Sequence, residues 1–405
     1  MDYFCADMGN ALFLEMGAFS AQTMAAMTLI FWISLAVLGL GVLAAWRLYL
    51  PWFTWNRASG KGLDPVDCSL MIVGRNDPEG FERWIQSAFS QLPGAEILAV
   101  DNQSEDETAN VLEALRRQYP TLIVVTLPAS ERFWSTRKLA LTLAVKAAHR
   151  KYSLWVDTRC ELPSDLPQWQ KVLSDPLRRG KAIAAFAPVM ASRDASYRAK
   201  SEALAANAWA HIRARPLFPG VKRSATTGMV PVNFAFETAK FFEIKGYLTS
   251  MHLDGGEAEF LLNDLAQIGP VVAVAQPGAF LRRPWLPQSD HKMRAHRSSV
   301  ERWAVARYGL LLALIDVVAL AAMVHMGLLW MHMDDFNMTQ PSPQIRFVGS
   351  QIQALLGVYA FLQLSFMVYT FQWAKRMESG WWLGISIPVY LRMRLLAKAL
   401  TFWKK

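Results

Sequence analysis

Three polar clusters recur through the middle of the chain, each directly after a short apolar run. They are Arg75-Asn76-Asp77, Asp101-Asn102-Gln103-Ser104, and Asp157 with Thr158 and Arg159. Carboxylates, amides and guanidiniums grouped in this way can hold a polar or phosphorylated ligand through hydrogen bonds and ion pairs. Each cluster alone is also ordinary turn chemistry, because Asp, Asn, Gly and Ser are the residues that make turns. Their repetition after successive apolar runs is harder to assign to turns alone. Cys5, Cys68 and Cys160 lie far apart, with no pair pattern and no metal-ligand spacing, so they read as free thiols.

The elements that must position these clusters follow from the patterning. Between Cys68 and about Gln276, short apolar runs alternate with helical stretches, which predicts an α/β sheet with crossover helices. Strands are expected at Cys68 to Val73, Glu96 to Val100, Leu122 to Leu127 and Tyr152 to Val156. Helices are expected at Phe81 to Gln91, Thr108 to Gln118 and Lys138 to Arg150. The polar clusters then fall at the carboxyl ends of strands, where open α/β sheets bind ligands.

The ends of the chain read differently. Of 405 residues 53% are hydrophobic, and the excess is concentrated at the two termini. Ala26 to Leu50 is apolar, uncharged until Arg47 and long enough to cross a bilayer. Further spans are expected at 308–331, interrupted by Asp316 and His325, and at 352–373, with a polar loop from Met333 to Ser350 outside. Residues 1–25 hold Asp2, Asp7 and Glu15 but no Lys or Arg, whereas Arg47, Arg57 and Lys61 follow the first span. That asymmetry places 1–25 outside and the central domain, 64–297, in the cytoplasm at an inner or plasma membrane. The tail, 374–405, carries seven basic residues and one acidic, and reads as a cytoplasmic or interfacial segment. The net charge of +9 is compatible with anionic lipid or a phosphorylated substrate; no nucleic-acid module is visible.

The order of motifs resembles glycosyltransferase family 2. Cys68-Ser-Leu-Met-Ile-Val-Gly-Arg-Asn-Asp is similar to that family's opening strand and turn, and Val100-Asp-Asn-Gln-Ser-Glu-Asp-Glu-Thr to its second segment. Phe133-Trp-Ser-Thr-Arg-Lys-Leu-Ala-Leu resembles its Lys-x-x-Ala-Leu-Asn helix, most closely in a membrane-anchored bacterial subgroup. Trp155-Val-Asp-Thr-Arg-Cys stands where the family has Asp-x-Asp. Gly228 to Phe236 and Asp254-Gly-Gly-Glu-Ala-Glu-Phe match later segments.

The resemblance implies a GT-A fold, Rossmann-like and nucleotide-sugar-binding, combined with transmembrane helices. It implies transfer of a sugar, with inversion, from a nucleotide-diphosphate donor (a UDP-sugar by default) to a lipid-linked or growing glycan acceptor. Asp101 would accept from the base, and Arg75, Asn76 and Asp77 would line the base and ribose pocket. Lys138, or its neighbour Arg137, would meet the phosphates, and Asp157 would lie near the ribose and diphosphate. Glu257 is the implied base, with Asp254 and Glu259 as alternates. Asn233, Arg294 and His296 are candidates for acceptor or diphosphate contact. A first-turn role at a helix dipole would also account for the three acids, and a basic interfacial helix for Arg294 and His296.

The pattern breaks at Asp157-Thr158-Arg159. The family's second carboxylate holds Mg²⁺ or Mn²⁺, which takes oxygen ligands, and an arginine is no ligand. Asp157 alone is left as a candidate for a metal. Arg159 either supplies charge to the diphosphate directly or marks a degenerate transferase acting as a scaffold or nucleotide-sugar-binding subunit of a membrane complex.

Overall fold

The computed structural model describes residues 62–127, 136–201, 232–252, 256–284 (275 aside) and 343–376, with single positions within 29–39, 203–207 and 314–324. The segment 1–25, the tail beyond 376, and most of the expected spans at 26–50 and 308–331 lie outside the described residues. Contacts divide the chain into two compact units, one of Leu48–Trp303 with Tyr369–Met393 and one of Met1–Arg47, Ala304–Val368 and Arg394–Lys405.

The first unit is built on a mixed sheet. Strands β1 (Cys68–Gly74), β2 (Glu96–Asp101), β3 (Ile123–Thr126) and β4 (Tyr152–Asp157) are joined by helices α1 (Pro78–Gln91), α2 (Thr108–Gln118) and α3 (Thr136–Ala147). Then follow α4 (Leu166–Arg178), β5 (Ala184–Phe186), β6 (Val189–Ala191), β7 (Asn233–Glu237), α5 (Thr238–Glu243), α6 (Glu257–Ile268), β8 (Val271–Ala273) and β9 (Leu281–Arg283). The main sheet runs β3-β2-β1-β4-β7-β5-β8, and β6 pairs separately with β9. β1 is parallel to both β2 and β4, whereas β7 is antiparallel to β4 and β5. The chain moves outward from β1 to β3 and then returns to place β4 on the other side of β1. This reversal opens a crevice at the carboxyl ends of β1 and β4, the place where such sheets bind ligands.

Alternation along the strands explains why the sheet is covered on both faces. Leu70, Ile72, Leu154 and Val156 point into a core with Phe81, Trp84 and Ile85 of α1 and Trp169 of α4. Met71, Val73 and Trp155 point the other way, against Ala140, Leu141 and Ala144 of α3 and Leu261, Leu262 and Leu265 of α6. A parallel strand buried on both faces is apolar throughout, as β1 and β4 are.

Helix α3 is shorter than its sequence pattern predicts. It stops at Ala147, and the His149 backbone N–H donates to Glu96 Oε2 at 2.9 Å rather than continuing the helical ladder. Glu96 Oε2 also accepts from Ser69 Oγ at 2.6 Å, so the amino ends of β1 and β2 are tied to the start of β4.

In the second unit, Leu38, Ile315, Leu355 and Leu362 pack together. Helix α7 (Pro343–Arg376), which belongs to this unit as far as Val368, contains, among the described residues, one stretch long and apolar enough to cross a membrane, Gly349–Gln372. The expected polar loop ending at Ser350 is corrected here, since the chain is already helical from Pro343. Tyr359 OH donates to Asp316 Oδ1 at 2.9 Å, so Asp316 is hydrogen-bonded to a neighbouring helix.

Candidate functional site

The crevice is assembled from the turns that end β1, β2 and β4. Register sets them side by side, with Gly74 opposite Asp101 and Val73 opposite Asp157. The backbone ladder continues past the strand ends. Asn102 N donates to Gly74 O at 3.0 Å and Thr158 N to Val73 O at 2.9 Å. Gly74 has no room for a side chain: a Cβ there would lie 2.6 Å from Thr158 Oγ1 and 2.8 Å from Phe81.

The first two turns are laced together. Asn76 takes a left-handed conformation, φ 53°, and its Oδ1 accepts from Glu105 N at 2.9 Å while its own N–H donates to Ser104 Oγ. Arg75 pairs with Glu105 at 2.9 Å on the surface. Asp101 is buried, and its Oδ1 accepts from both the Ser104 hydroxyl and the Ser104 N–H. Asp77 caps α1 by accepting from Gly80 N at 3.0 Å. These residues thus build the rim of the crevice as well as lining it.

The charged centre lies at the end of β4. Asp157 is buried; its Oδ2 accepts from an Arg137 guanidinium nitrogen at 2.7 Å and its Oδ1 from the Arg159 N–H at 3.0 Å. The Arg159 side chain, 47% exposed, approaches the same Oδ1 to 3.5 Å. Arg137 also faces Glu257, with Nε 3.9 Å from Oε1, and so stands between the two carboxylates. Burial pushes the Asp157 carboxyl up, but Arg137, Arg159 and Arg283 together more than offset this and hold it below the usual carboxylate range. Burial lowers the Arg283 guanidinium, which Asp157 partly opposes. Glu257, the first residue of α6, is almost wholly buried. Beside it Tyr247 is buried, and both burial and the Glu257 charge push its phenol up.

Two of the expected contact residues are buried in the core. Asn233 is fully buried, donating to Ala279 O at 2.8 Å and accepting from Trp169 Nε1 at 3.2 Å. It fastens β7 to α4 and to the turn before β9. Lys138 is fully buried too, with Nζ donating to Ser250 O at 2.7 Å and lying over the Phe260 ring; Arg137 is the residue of that pair at Asp157. Asp254, Arg294 and His296 lie outside the described residues, as does the side chain of Glu259.

Arg283 is not singled out by any sequence motif. It arrives by tertiary pairing, since Glu161 N donates to Arg282 O at 2.7 Å and draws β9 against the turn after β4. A divalent cation does not fit these residues. Both Asp157 oxygens are engaged by arginines, and the described residues contain no group of three metal-ligating side chains.

A mixed α/β sheet whose parallel strands end in a charged crevice is the architecture of the GT-A fold class. Residues 69–241 match the model of Glycosyl transferase family 2. Among solved structures the chain is similar to a mannosyltransferase from Pyrobaculum calidifontis in complex with GDP-Man and Mn²⁺, with 16% identity, 94% of this chain and 99% of that one covered, and a TM-score of 0.42. It is also similar to glucosyl-3-phosphoglycerate synthase from Mycobacterium tuberculosis, with 16% identity, 55% and 74% coverage, and a TM-score of 0.35. No curated protein matches the chain.

Proposed function

We propose that the protein is a membrane-bound inverting glycosyltransferase. It moves a sugar from a nucleotide-diphosphate donor to a lipid-linked or growing glycan acceptor at the cytoplasmic face. The observation that carries this reading is the line Asp157–Arg137–Glu257 at the strand reversal, with a cation between two carboxylates. Glu257 takes the proton of the acceptor hydroxyl as its oxygen bonds to the anomeric carbon. The bond from that carbon to the diphosphate breaks, and the electron pair leaves with the nucleoside diphosphate. Asp101, Arg75, Asn76 and Asp77 supply the rim for base and ribose.

Two observations support a bilayer location. Gly349–Gln372 has a mean hydropathy of 1.6. In its unit, Leu29, Trp32, Ile33, Val317, Leu320, Phe361 and Leu364 face outward, whereas Asp316 and Tyr359 are hydrogen-bonded to each other. Apolar outside and polar inside is the arrangement that hydrocarbon favours. Spans next to the domain keep a lipid acceptor at high effective concentration.

The test is transfer of labelled sugar from UDP- and GDP-sugars into the lipid extract of membranes carrying the protein, with Glu257→Gln as control. Transfer that falls about a hundredfold in the variant, with nucleotide binding kept, is the expected result. A protein that binds nucleotide but transfers nothing is a scaffold or nucleotide-sugar-binding subunit, the second of the two readings of Arg159.

A further inference from the structure

The charged centre has a composition that selects its ligand. Three guanidiniums, Arg137, Arg159 and Arg283, act on Asp157, and Arg137 also faces Glu257. With both acids ionised the group keeps one net positive charge. A dication entering here would displace hydrogen bonds from both Asp157 oxygens and stand among like charges. A diphosphate would meet the opposite situation. Arg137 Nε and Arg283 Nε are buried donors with no hydrogen-bond acceptor among the described residues, and buried donors demand one. The Arg159 side chain lies half-exposed at the mouth, and guanidinium forks match phosphate oxygens in pairs.

Resting on the donor-pocket reading above, we infer that Arg159 and Arg283, with Arg137 behind them, hold the donor's diphosphate in place of a divalent cation. Asp157 then serves as the buried counter-ion that keeps the arginines folded and aimed, rather than as a metal ligand. The same guanidiniums receive the negative charge that gathers on the departing diphosphate when its bond to the anomeric carbon breaks. Arg283 acts on the diphosphate from β9, an element outside the segment that matches the family model.

Calorimetric titration of the detergent-purified full chain with UDP, GDP and the corresponding monophosphates decides the matter. Each is run in EDTA and in Mn²⁺, on wild type, Arg283→Gln, Arg283→Lys and Arg159→Gln, with thermal unfolding of each variant as a control for folding. A diphosphate should bind in EDTA with an affinity that Mn²⁺ changes less than about twofold. Arg283→Gln and Arg159→Gln should each weaken the diphosphate about tenfold or more and the monophosphate far less, with partial recovery in Arg283→Lys. Equal losses for monophosphate and diphosphate would overturn the role of these side chains. Binding abolished by EDTA and restored by Mn²⁺ would sink the arginine inference while leaving the nucleotide-sugar reading intact. Absence of binding to either nucleotide in every condition would remove both.

Discussion

At the residue scale, two buried polar side chains near the crevice have opposite duties, and substitution separates them. Asp157 is a buried anion among cations; Asn233 is a neutral fastener in the core. Because the arginines hold the folded carboxyl of Asp157 below its ordinary range, the ionised form stabilises the fold. That contribution is complete above the unfolded carboxylate value of about 4 and is lost as pH falls through the lowered folded value. Asp157→Asn should therefore cost about 3 kcal/mol or more at pH 7, because it leaves guanidiniums buried without their counter-ion. The gap between variant and wild type should narrow below about pH 4, which urea midpoints measured across pH would reveal. A gap of constant size down to pH 2 would contradict the ion-pair account. Asn233→Leu should cost about 2 kcal/mol with no such pH dependence, since it strands Trp169 Nε1 and Ala279 O without their partner. In whatever Asn233→Leu protein still folds, nucleotide affinity should be unchanged; a selective loss of diphosphate binding would return Asn233 to the site.

At the scale of elements, the crevice depends on three turns approaching more closely than side chains usually permit. Gly74 is the pivot. Gly74→Ala would press its methyl against Thr158 and Phe81, and Thr158 follows Asp157 directly. The expected cost is about 1–3 kcal/mol, together with weaker nucleotide binding because the Asp157 turn is pushed away from β1. A Gly74→Ala protein with unchanged urea midpoint and affinity would show that the turns can part without consequence. These first elements were legible because β1 to β4 and α1 to α3 carry strong periodic signals over their full lengths, each closed by turn residues. The misjudged boundaries are helix ends: α1 begins at Pro78 rather than Phe81, and α3 runs from Thr136 to Ala147, where a distant glutamate takes the His149 N–H. The later strands were not legible, because β5, β6, β8 and β9 are three residues each and too short for alternation to register. That is why Arg283 escaped notice while Asp157 did not: its place follows from a pairing of β9 with the turn after β4, not from a local pattern. Asn233 is the converse case: the motif makes its amide visible in the sequence, but its bonds to Trp169 and Ala279 follow only from the packing of α4 and β7.

At the scale of the whole molecule, the chain joins a domain with an ordinary apolar core to helices whose apolar side chains face outward. The second arrangement is costly in water, because isolated soluble proteins rarely expose a broad apolar surface. A bilayer removes that cost, and it makes a hydrogen-bonded polar pair between helices more favourable than a lone polar group in hydrocarbon. Asp316 and Tyr359 form such a pair. The full chain is therefore expected to stay in the membrane pellet after an alkaline carbonate wash, whereas a peripheral protein would be released. Under the proposed topology, protease added to inside-out vesicles should cut the central domain, and sealed right-side-out cells should protect it. Tyr359→Phe removes a hydroxyl donor from Asp316 without removing the helix, so it should lower thermal stability in detergent by about 1 kcal/mol. It should leave nucleotide affinity of the central domain within about twofold of wild type, since additivity holds for sites without shared partners. If Tyr359→Phe abolished nucleotide binding while membrane retention persisted, the helices would be part of the binding machinery rather than an anchor. If carbonate released the wild-type chain, the outward apolar faces would have to be covered by protein, and a membrane acceptor would lose its physical basis.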